Sequence, residues 1–371
     1  MDLWSVSYDL TNLLVDIVNF FIYGLGWLIP GSIGEAFDSL GDWLASPGVM
    51  RIFTILMEII LLIVVALLNV VTLIWIERKL LARFWDFRGP FYVGPLGYFQ
   101  NFADGLKFFL KQIITPIKAD KFSYFIAPVI FIGSSILILG TIPIGPEFGI
   151  TDEGTPVPGS VILAFAIFAV APFSILVAGW AENNKFTLIG GMRSAAQMMS
   201  YEIPLLLSVA SVIVLAGSFS FVDVVEAQAD MWYAVPLFIG FLVFLVCIVA
   251  EVERIPFDLP EAEAELVEGW TTEYSGMRFG FFMMTEYVRG YAGCAIAAAL
   301  FLGGWNGPAI IPDEFWFLIK AYMVFVIFVW IRASLPRIRT DQILDLGWKR
   351  LLPLAMLNLV IAVVLKTLGV F

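Results

Sequence analysis

The sequence predicts an all-α integral membrane protein, with about eight transmembrane helices plus amphipathic surface helices. Three observations predict it. The 371-residue chain is 60% hydrophobic and only 14% charged, with a mean hydropathy of +0.92, whereas a soluble globular chain is nearer half apolar and a quarter charged. The apolar residues gather in runs of roughly twenty, the length that crosses a hydrocarbon core. Those runs are continuous, not alternating in short segments, which excludes a barrel and leaves helices as the spanning structure.

Taken in order, residues 1–50 form an N-terminal extension. Within it "LTNLLVDIVNFFIYGLGWLIPG" (10–31) is apolar but interrupted by Asp16, Asn19 and glycines, so a helix lying in the outer interface is expected in preference to the alternative, a ninth span. The extension has no Lys or Arg and so lacks the basic start of a secretory signal. Residues 51–371 read as one membrane domain, without internal repeat or flexible linker. Spans are expected at 52–76, 122–143, 159–180, 203–220, 232–252, 279–302, 314–334 and 351–370. Most of the 21 basic residues fall in the connections 78–121, 181–202, 253–278 and 332–350, and none falls in 144–158, 221–231 or 303–313. By the positive-inside rule the basic connections face the cytoplasm, or the matrix in a mitochondrion, and both termini lie outside.

Two inside connections have structure of their own. In "RGPFYVGPLGYFQNFADGLKFFLKQ" (88–112) a Gly/Pro-rich turn precedes a helical pattern. Leu96, Phe99, Phe102, Ala103, Leu106, Phe109 and Leu110 recur at three- and four-residue steps, while Asp104, Lys107 and Lys111 face elsewhere. Such a helix lies along the membrane surface, as a lid on the spans or as one wall of a cavity opening at the membrane plane. The second is "AEVERIPFDLPEAEAELVEGW" (250–270). It carries Glu251, Glu253, Asp258, Glu261, Glu263, Glu265 and Glu268 around a single cation, Arg254. Asp258, with Pro260 and Glu261 after it, reads as a helix start. Glu261, Glu265 and Glu268 would share one face and Glu263 another. No Lys or Arg from 255 to 277 is present to pair with them. Crowded carboxylates repel, and in a low dielectric at least one stays protonated near neutral pH. The alternative is a solvated acidic loop that docks a basic partner.

Ionisable groups within spans cost about 2.5–3.5 kcal/mol on insertion scales, so each marks a candidate site. Glu58 lies in the first span, Glu182 and Glu202 flank the second inside connection (181–202), and Glu251 and Glu253 end the fifth span. Glu286 and Arg289 stand one turn apart in the sixth, where the plain structural reading is that they pair with each other and the other is that they serve a site. Lys320, near the outside end of the seventh, is expected to snorkel. If their spans are neighbours, the inner carboxylates form a file running from the inside surface into the membrane, the arrangement a proton relay needs. The chain has no histidine, and Cys247 and Cys294 sit inside apolar runs. They read as small buried hydrophobes, and the usual zinc and haem sites are not expected.

Several ordered stretches carry a family resemblance: "WIERKLLARF" (75–84), "RGPFYVGPLG" (88–97), "ADGLKFFLKQ" (103–112), "GGMRSAAQMMSYEIP" (190–204), "IPFDLPEAEAELVEGWTTEYSGMRFG" (255–280), "TEY" (285–287) and "RIRTDQILDLGWKRLLP" (337–353). With these, residues from about 50 to 371 resemble the H-subunit family of respiratory complex I, the proton-pumping NADH:quinone oxidoreductase, whose mitochondrial counterpart is called subunit 1. The resemblance implies a membrane subunit that forms the access tunnel for a quinone or quinone-like lipophilic carrier, which is its substrate. It also implies that this chain holds no redox centre and no covalent cofactor.

The implied partners are the quinone-site and iron–sulfur subunits of the hydrophilic arm on the cytoplasmic side, antiporter-like and small membrane subunits, and lipid, with no nucleic acid. Carried over by motif, the quinone-side residues are Glu77, Arg78, Arg88, Asp104, Lys107, Arg193, Glu261 and Arg278. The coupling carboxylates are Glu202, Glu251, Glu253, Asp258, Glu263, Glu265 and Glu286, to which the local pattern adds Glu182. Quinone reduction leaves charge that protons must neutralise. That shift would move the linked titration of the carboxylate file and bias the antiporter subunits.

The sequence departs from the family pattern in four ways. Phe91 and Tyr92 replace the Asn and Arg of "RGPNRVGP", Thr271 replaces a common His, Glu182 stands where Ser is common, and Arg289 is unusual. The first two have an archaeal flavour. They open an alternative in which the complex is fed by reduced coenzyme F420 or ferredoxin and reduces methanophenazine or another quinone-like carrier. The expected location is a prokaryotic cell membrane rather than a mitochondrial inner membrane. A free-standing transporter would show paired half-repeats or broken helices at the midplane, which are not seen. A purely structural anchor leaves the span-end carboxylates without a reason.

Overall fold

The computed structural model describes residues 47–146, 155–258, 266–308 and 311–369, with side chains from Arg51 onward. The interfacial helix expected at 10–31 lies outside these residues, as do Glu261, Glu263, Glu265 and the helix expected to start after Asp258. Two compact units meet in sequence at Leu68 and Asn69. The described part of the first is the opening half of one long helix, α1 (Pro47–Phe84), whose residues Ile52, Ile55, Leu56, Ile59 and Ile60 are exposed.

The second unit is a helical bundle. After α1 come a one-turn 3-10 helix (Pro95–Gly97), α2 (Gln100–Leu110), α3 (Lys121–Thr141), α4 (Ser160–Phe168), α5 (Val170–Ala181) and α6 (Lys185–Ala216). Then follow α7 (Phe221–Glu226), α8 (Phe238–Glu251), a second 3-10 turn (Gly269–Thr271), α9 (Met277–Phe301), α10 (Asp313–Ser334), α11 (Thr340–Leu346), a π-turn (Gly347–Leu351) and α12 (Leu352–Thr367). Among the described residues, six continuous helical stretches are long and apolar enough to cross a membrane: Arg51–Phe84, Lys121–Thr141, Ser160–Ala181, Lys185–Ala216, Asp313–Ser334 and Thr340–Thr367. The chain is thus an all-helical integral membrane protein. The two other expected spans correspond to α8, apolar but 14 residues long, and to α9. The latter is 25 residues long and carries Arg278, Glu286 and Arg289.

The helices end where local chemistry ends them. At α1 the amide of Phe87 donates to Ala82 O (2.7 Å) and that of Asp86 to Arg83 O (3.4 Å), with Asp86 at φ 58°. This is a Schellman closure with aspartate in the left-handed position usually given to glycine. The side chain of Asn184 caps α6 by accepting from the Phe186 amide (3.2 Å). That cap explains a difference from expectation. Residues 185–202, expected as part of an inside connection, are the first half of α6. Their polarity disguised a run of helix-forming Ala, Met and Gln behind a good N-cap. The fifth apolar run likewise begins its helix at Phe238 instead of 232.

Close approach fixes the register of α5 against α6. A Cβ on Gly179 would stand 2.6 Å from Thr187 O, so the small residue lets the backbones meet. The helix α9 sits at the centre. From Val288 to Phe301 it is buried on every side, which is why its apolar pattern shows no single face. Packed around it are α3, α8 and α10, with α6 and α12 behind α8. Cys247 and Cys294 are buried free thiols in this core.

Prolines shape the bundle further. Proline has no N–H, so the carbonyl four residues earlier loses its helical donor. Pro128 in α3 releases Tyr124 O, which accepts from the Tyr274 hydroxyl (3.3 Å). Pro172, in the first turn of α5 just past the break at Ala169, likewise offers no N–H to Phe168 O, which accepts from Arg289 Nη1 (3.2 Å).

Candidate functional site

Segments of α1, α6, α8, α9 and α10, with the connection that follows α8, bring together a line of buried charges. At one end Glu77, buried on α1, accepts from Arg254 Nη1 at 2.7 Å and pairs with Arg332 at the end of α10. The Nε of Arg254 pairs in turn with Glu286 on α9, and its guanidinium lies 4.2 Å over the Tyr287 ring. The acidity of Arg254 is settled by its neighbours. Burial works against its charge, but Glu286 and Glu77 outweigh burial and hold it protonated.

Arg254 is therefore the cation that satisfies two carboxylates from two helices. A narrow cavity beside it is lined by Glu77, Glu286, Tyr287 and Arg332.

A second narrow cavity continues from there, lined by Glu251, Glu253, Glu286, Arg289 and the apolar Phe131, Met198, Trp270 and Phe282. Glu251 ends α8 and pairs with Arg289 at 3.1 Å. Arg289 is 1% exposed. Its guanidinium lies 4.1 Å over the Phe168 ring, and it takes the Phe168 carbonyl. Glu202, half-buried on α6, lies within electrostatic reach of Arg289 and Glu251.

Glu253 stands between the two arginine groups. It accepts from the Ser194 hydroxyl of α6 and has no guanidinium in ion-pair contact among the described residues. Burial pushes its carboxyl up to about 7. Ser194 opposes the rise, and the charges of Glu286 and Asp258 add to it. Asp258, at the surface end, pairs with Arg337 at 3.0 Å. Burial still raises it above the ordinary carboxylate range, against the pull of Arg337.

Of the sequence-derived coupling residues, the structure thus brings Glu202, Glu251, Glu253, Asp258 and Glu286 into one neighbourhood, and Glu77 joins them. Glu182 stands apart. It is buried at the end of α5, near the stacked Tyr124 and Tyr274 rings (4.2 Å between centroids) and Glu273. Burial pushes its carboxyl up to about 9.

The quinone-side candidates fall at several places. Arg78 is exposed and pairs with Asp104 of α2 at 2.6 Å, while also donating to Asn101 Oδ1 at 3.1 Å. Burial acts to raise Asp104, but the hydrogen bond and charge of Arg78 outweigh it and lower the carboxyl. Lys107 is exposed on α2, and Arg88 is exposed beside Lys79 and Arg83. Arg193 lines a cavity with Gln197 and Ile343, and Arg278 stacks over the Tyr124 ring at 4.9 Å.

Two pairings differ from the plain reading of the sequence. Glu286 and Arg289 do not pair. Each finds a partner on another helix or connection, Arg254 and Glu251 respectively, because in the crowded core the facing segments offer better geometry than one turn of the same helix. Lys320 does not snorkel. It is buried, and donates to Leu302 O, Gly304 O and Asn306 O at 2.7, 2.8 and 2.7 Å. Those carbonyls lie at and beyond the C-terminal end of α9, where a cation is favoured. Sequence reasoning also passed over Arg332 and Ser194, and noted Arg254 without a role. Its isolation among acids was the available signal.

The family model of NADH dehydrogenase matches residues 57–363. The H subunit of NADH-quinone oxidoreductase from Bacillus thuringiensis is 42% identical over 330 residues, which is 88% of this chain and 98% of that protein. The corresponding proteins of Bacillus cereus and Bacillus anthracis match at the same identity and coverage. The chain belongs to the NADH dehydrogenase family that includes the H subunit of NADH-quinone oxidoreductase.

Proposed function

We infer that the chain works as the membrane subunit of a complex I-type oxidoreductase in a prokaryotic cell membrane. It would guide a quinone toward the electron-transfer subunits and couple that quinone's reduction to proton translocation. The relatives' names supply NADH as electron donor and quinone as acceptor. One observation carries the coupling: the buried line from Glu77 and Arg254 through Glu286, Glu253 and Glu251 to Arg289 and Glu202.

Chemically, the line alternates fixed cations with carboxylates. Arg254 and Arg289 cannot release their protons at physiological pH, so they set the potential and do not relay. Glu253, between them and close to half-protonated at neutral pH, is the group able to gain or lose a proton when charge changes at either end. Protonation at Asp258, next to the surface, would alter the field at Glu253. That change would pass to Glu251 and Glu202. The arrangement accounts for buried carboxylates that a mere anchor for soluble subunits would not need.

The test is Glu253→Gln and Glu202→Gln in the assembled complex, assayed in everted vesicles with NADH and a soluble quinone. Normal assembly, with quinone reduction or its linked proton uptake lowered at least tenfold, is expected. Unchanged pumping in both variants would favour the anchor. Turnover driven by reduced coenzyme F420 and not by NADH would assign the complex to the alternative donor.

A further inference from the structure

At the inner end of α1 the Schellman closure at Asp86 turns the chain back on itself. Gly89 then lies against the helix, where a Cβ would stand 3.2 Å from Arg78 O and 3.4 Å from the Cα of Lys79. The reversal sets Arg88 beside Lys79 and Arg83. The three cations line an open surface cavity. One carboxylate, Asp86, lines it too, leaving a local excess of positive charge in a chain whose net charge is −11. None of the three cations makes an ion pair among the described residues.

The surroundings are aromatic and exposed. Phe87 and Phe91 line the same cavity, and Phe91 lies 5.7 Å from the Lys79 ammonium. Trp85 is exposed and its indole N–H reaches Ala333 O at the inner end of α10 (3.5 Å), one turn beyond the exposed Trp330. Exposed tryptophans beside arginines at the ends of apolar helices mark the membrane–water boundary.

We propose that Lys79, Arg83 and Arg88 bind the phosphodiester headgroup of an anionic phospholipid, with Phe87 and Phe91 against its glycerol and upper acyl carbons. Basic pockets at the cytoplasmic ends of spans are suited to such headgroups, and each cation contributes to the attraction. An acidic protein surface could meet the same charges. It would have no use for exposed phenyl rings at the boundary depth, which favours the lipid.

The experiment uses the purified complex in nanodiscs of phosphatidylcholine doped with phosphatidylglycerol that carries a photoreactive headgroup. In the wild type, label is expected on the peptide spanning 79–91, displaced by plain phosphatidylglycerol and not by inorganic phosphate. Lys79→Gln with Arg83→Gln should lower that labelling on the order of tenfold, and Lys79→Arg with Arg83→Lys should restore it. Absence of wild-type label from this peptide would overturn the proposal, whatever the variants do. Equal displacement by inorganic phosphate would make the site a free-anion site and overturn the lipid assignment. Label unchanged in the Gln variant, with the soluble subunits lost instead, would make it a protein-docking surface.

Discussion

Glu253 differs from its neighbours in one respect: Glu77, Glu251 and Glu286 each touch an arginine, whereas Glu253 touches the Ser194 hydroxyl. Its carboxyl sits at about 7, so raising the pH through that value removes its proton and adds a negative charge between Glu251 and Glu286. A limb in the turnover profile near neutral pH is therefore expected, measured in vesicles over the range from about 6 to 9. Glu253→Gln should flatten that limb. Ser194→Ala removes the hydroxyl that favours the anion and should move the limb to higher pH. A limb unchanged in both variants would assign it to another group.

Glu182 makes the contrasting prediction. Held neutral up to about 9 by burial, it is already close to an amide in charge at pH 7. Glu182→Gln should shift the melting of the complex by no more than the roughly 0.5 kcal/mol of a silent substitution. Glu182→Ala leaves a void and should cost about 1–3 kcal/mol. The carboxylates were legible in the sequence because charge inside an apolar run is conspicuous. Their partners were not. Arg254 meets Glu77 across 177 positions of chain, and no spacing rule reaches that far.

Helix closure and prolines are where the elements make their own predictions. Asp86 holds a left-handed conformation that glycine adopts freely. Asp86→Gly should raise the melting temperature of the complex, by up to about 1 kcal/mol in stability terms, and Asp86→Val should lower it. Pro172→Ala supplies an N–H that competes for Phe168 O. Arg289 would then share or lose an acceptor, at a cost of about 1–3 kcal/mol for a hydrogen bond from a charged donor. A fall in thermal stability with weakened pumping is expected; a gain in stability would show that the helix, and not the guanidinium, needed that carbonyl. The amphipathic helix α2 was legible from its three- and four-residue steps. The first half of α6 was not, because a polar surface hid a helical backbone.

For the molecule as a whole, the charge pattern predicts an orientation that the two buried cysteines make easy to check. Cys247 and Cys294 are inaccessible, so a single introduced cysteine is the one reactive thiol this chain offers. Lys349→Cys, on the exposed turn before α12, should react with a membrane-impermeant maleimide in everted vesicles and not in right-side-out cells. Asp313→Cys, exposed at the start of α10, should do the reverse. Matching labelling of both from one side would overturn the positive-inside assignment. Fold class was legible because hydropathy is a sum over many residues. The order in which helices touch depended on contacts such as Gly179 against Thr187, where the missing side chain is the signal.

Arg254 also has a mechanical side. It rivets the base of α1 to the middle of α9, and it stands four residues before the acidic connection begins at Asp258. Any tug on that connection would be felt by two membrane helices at once, with little slack to absorb it. A partner gripping the acidic strap would hold a short lever on the bundle.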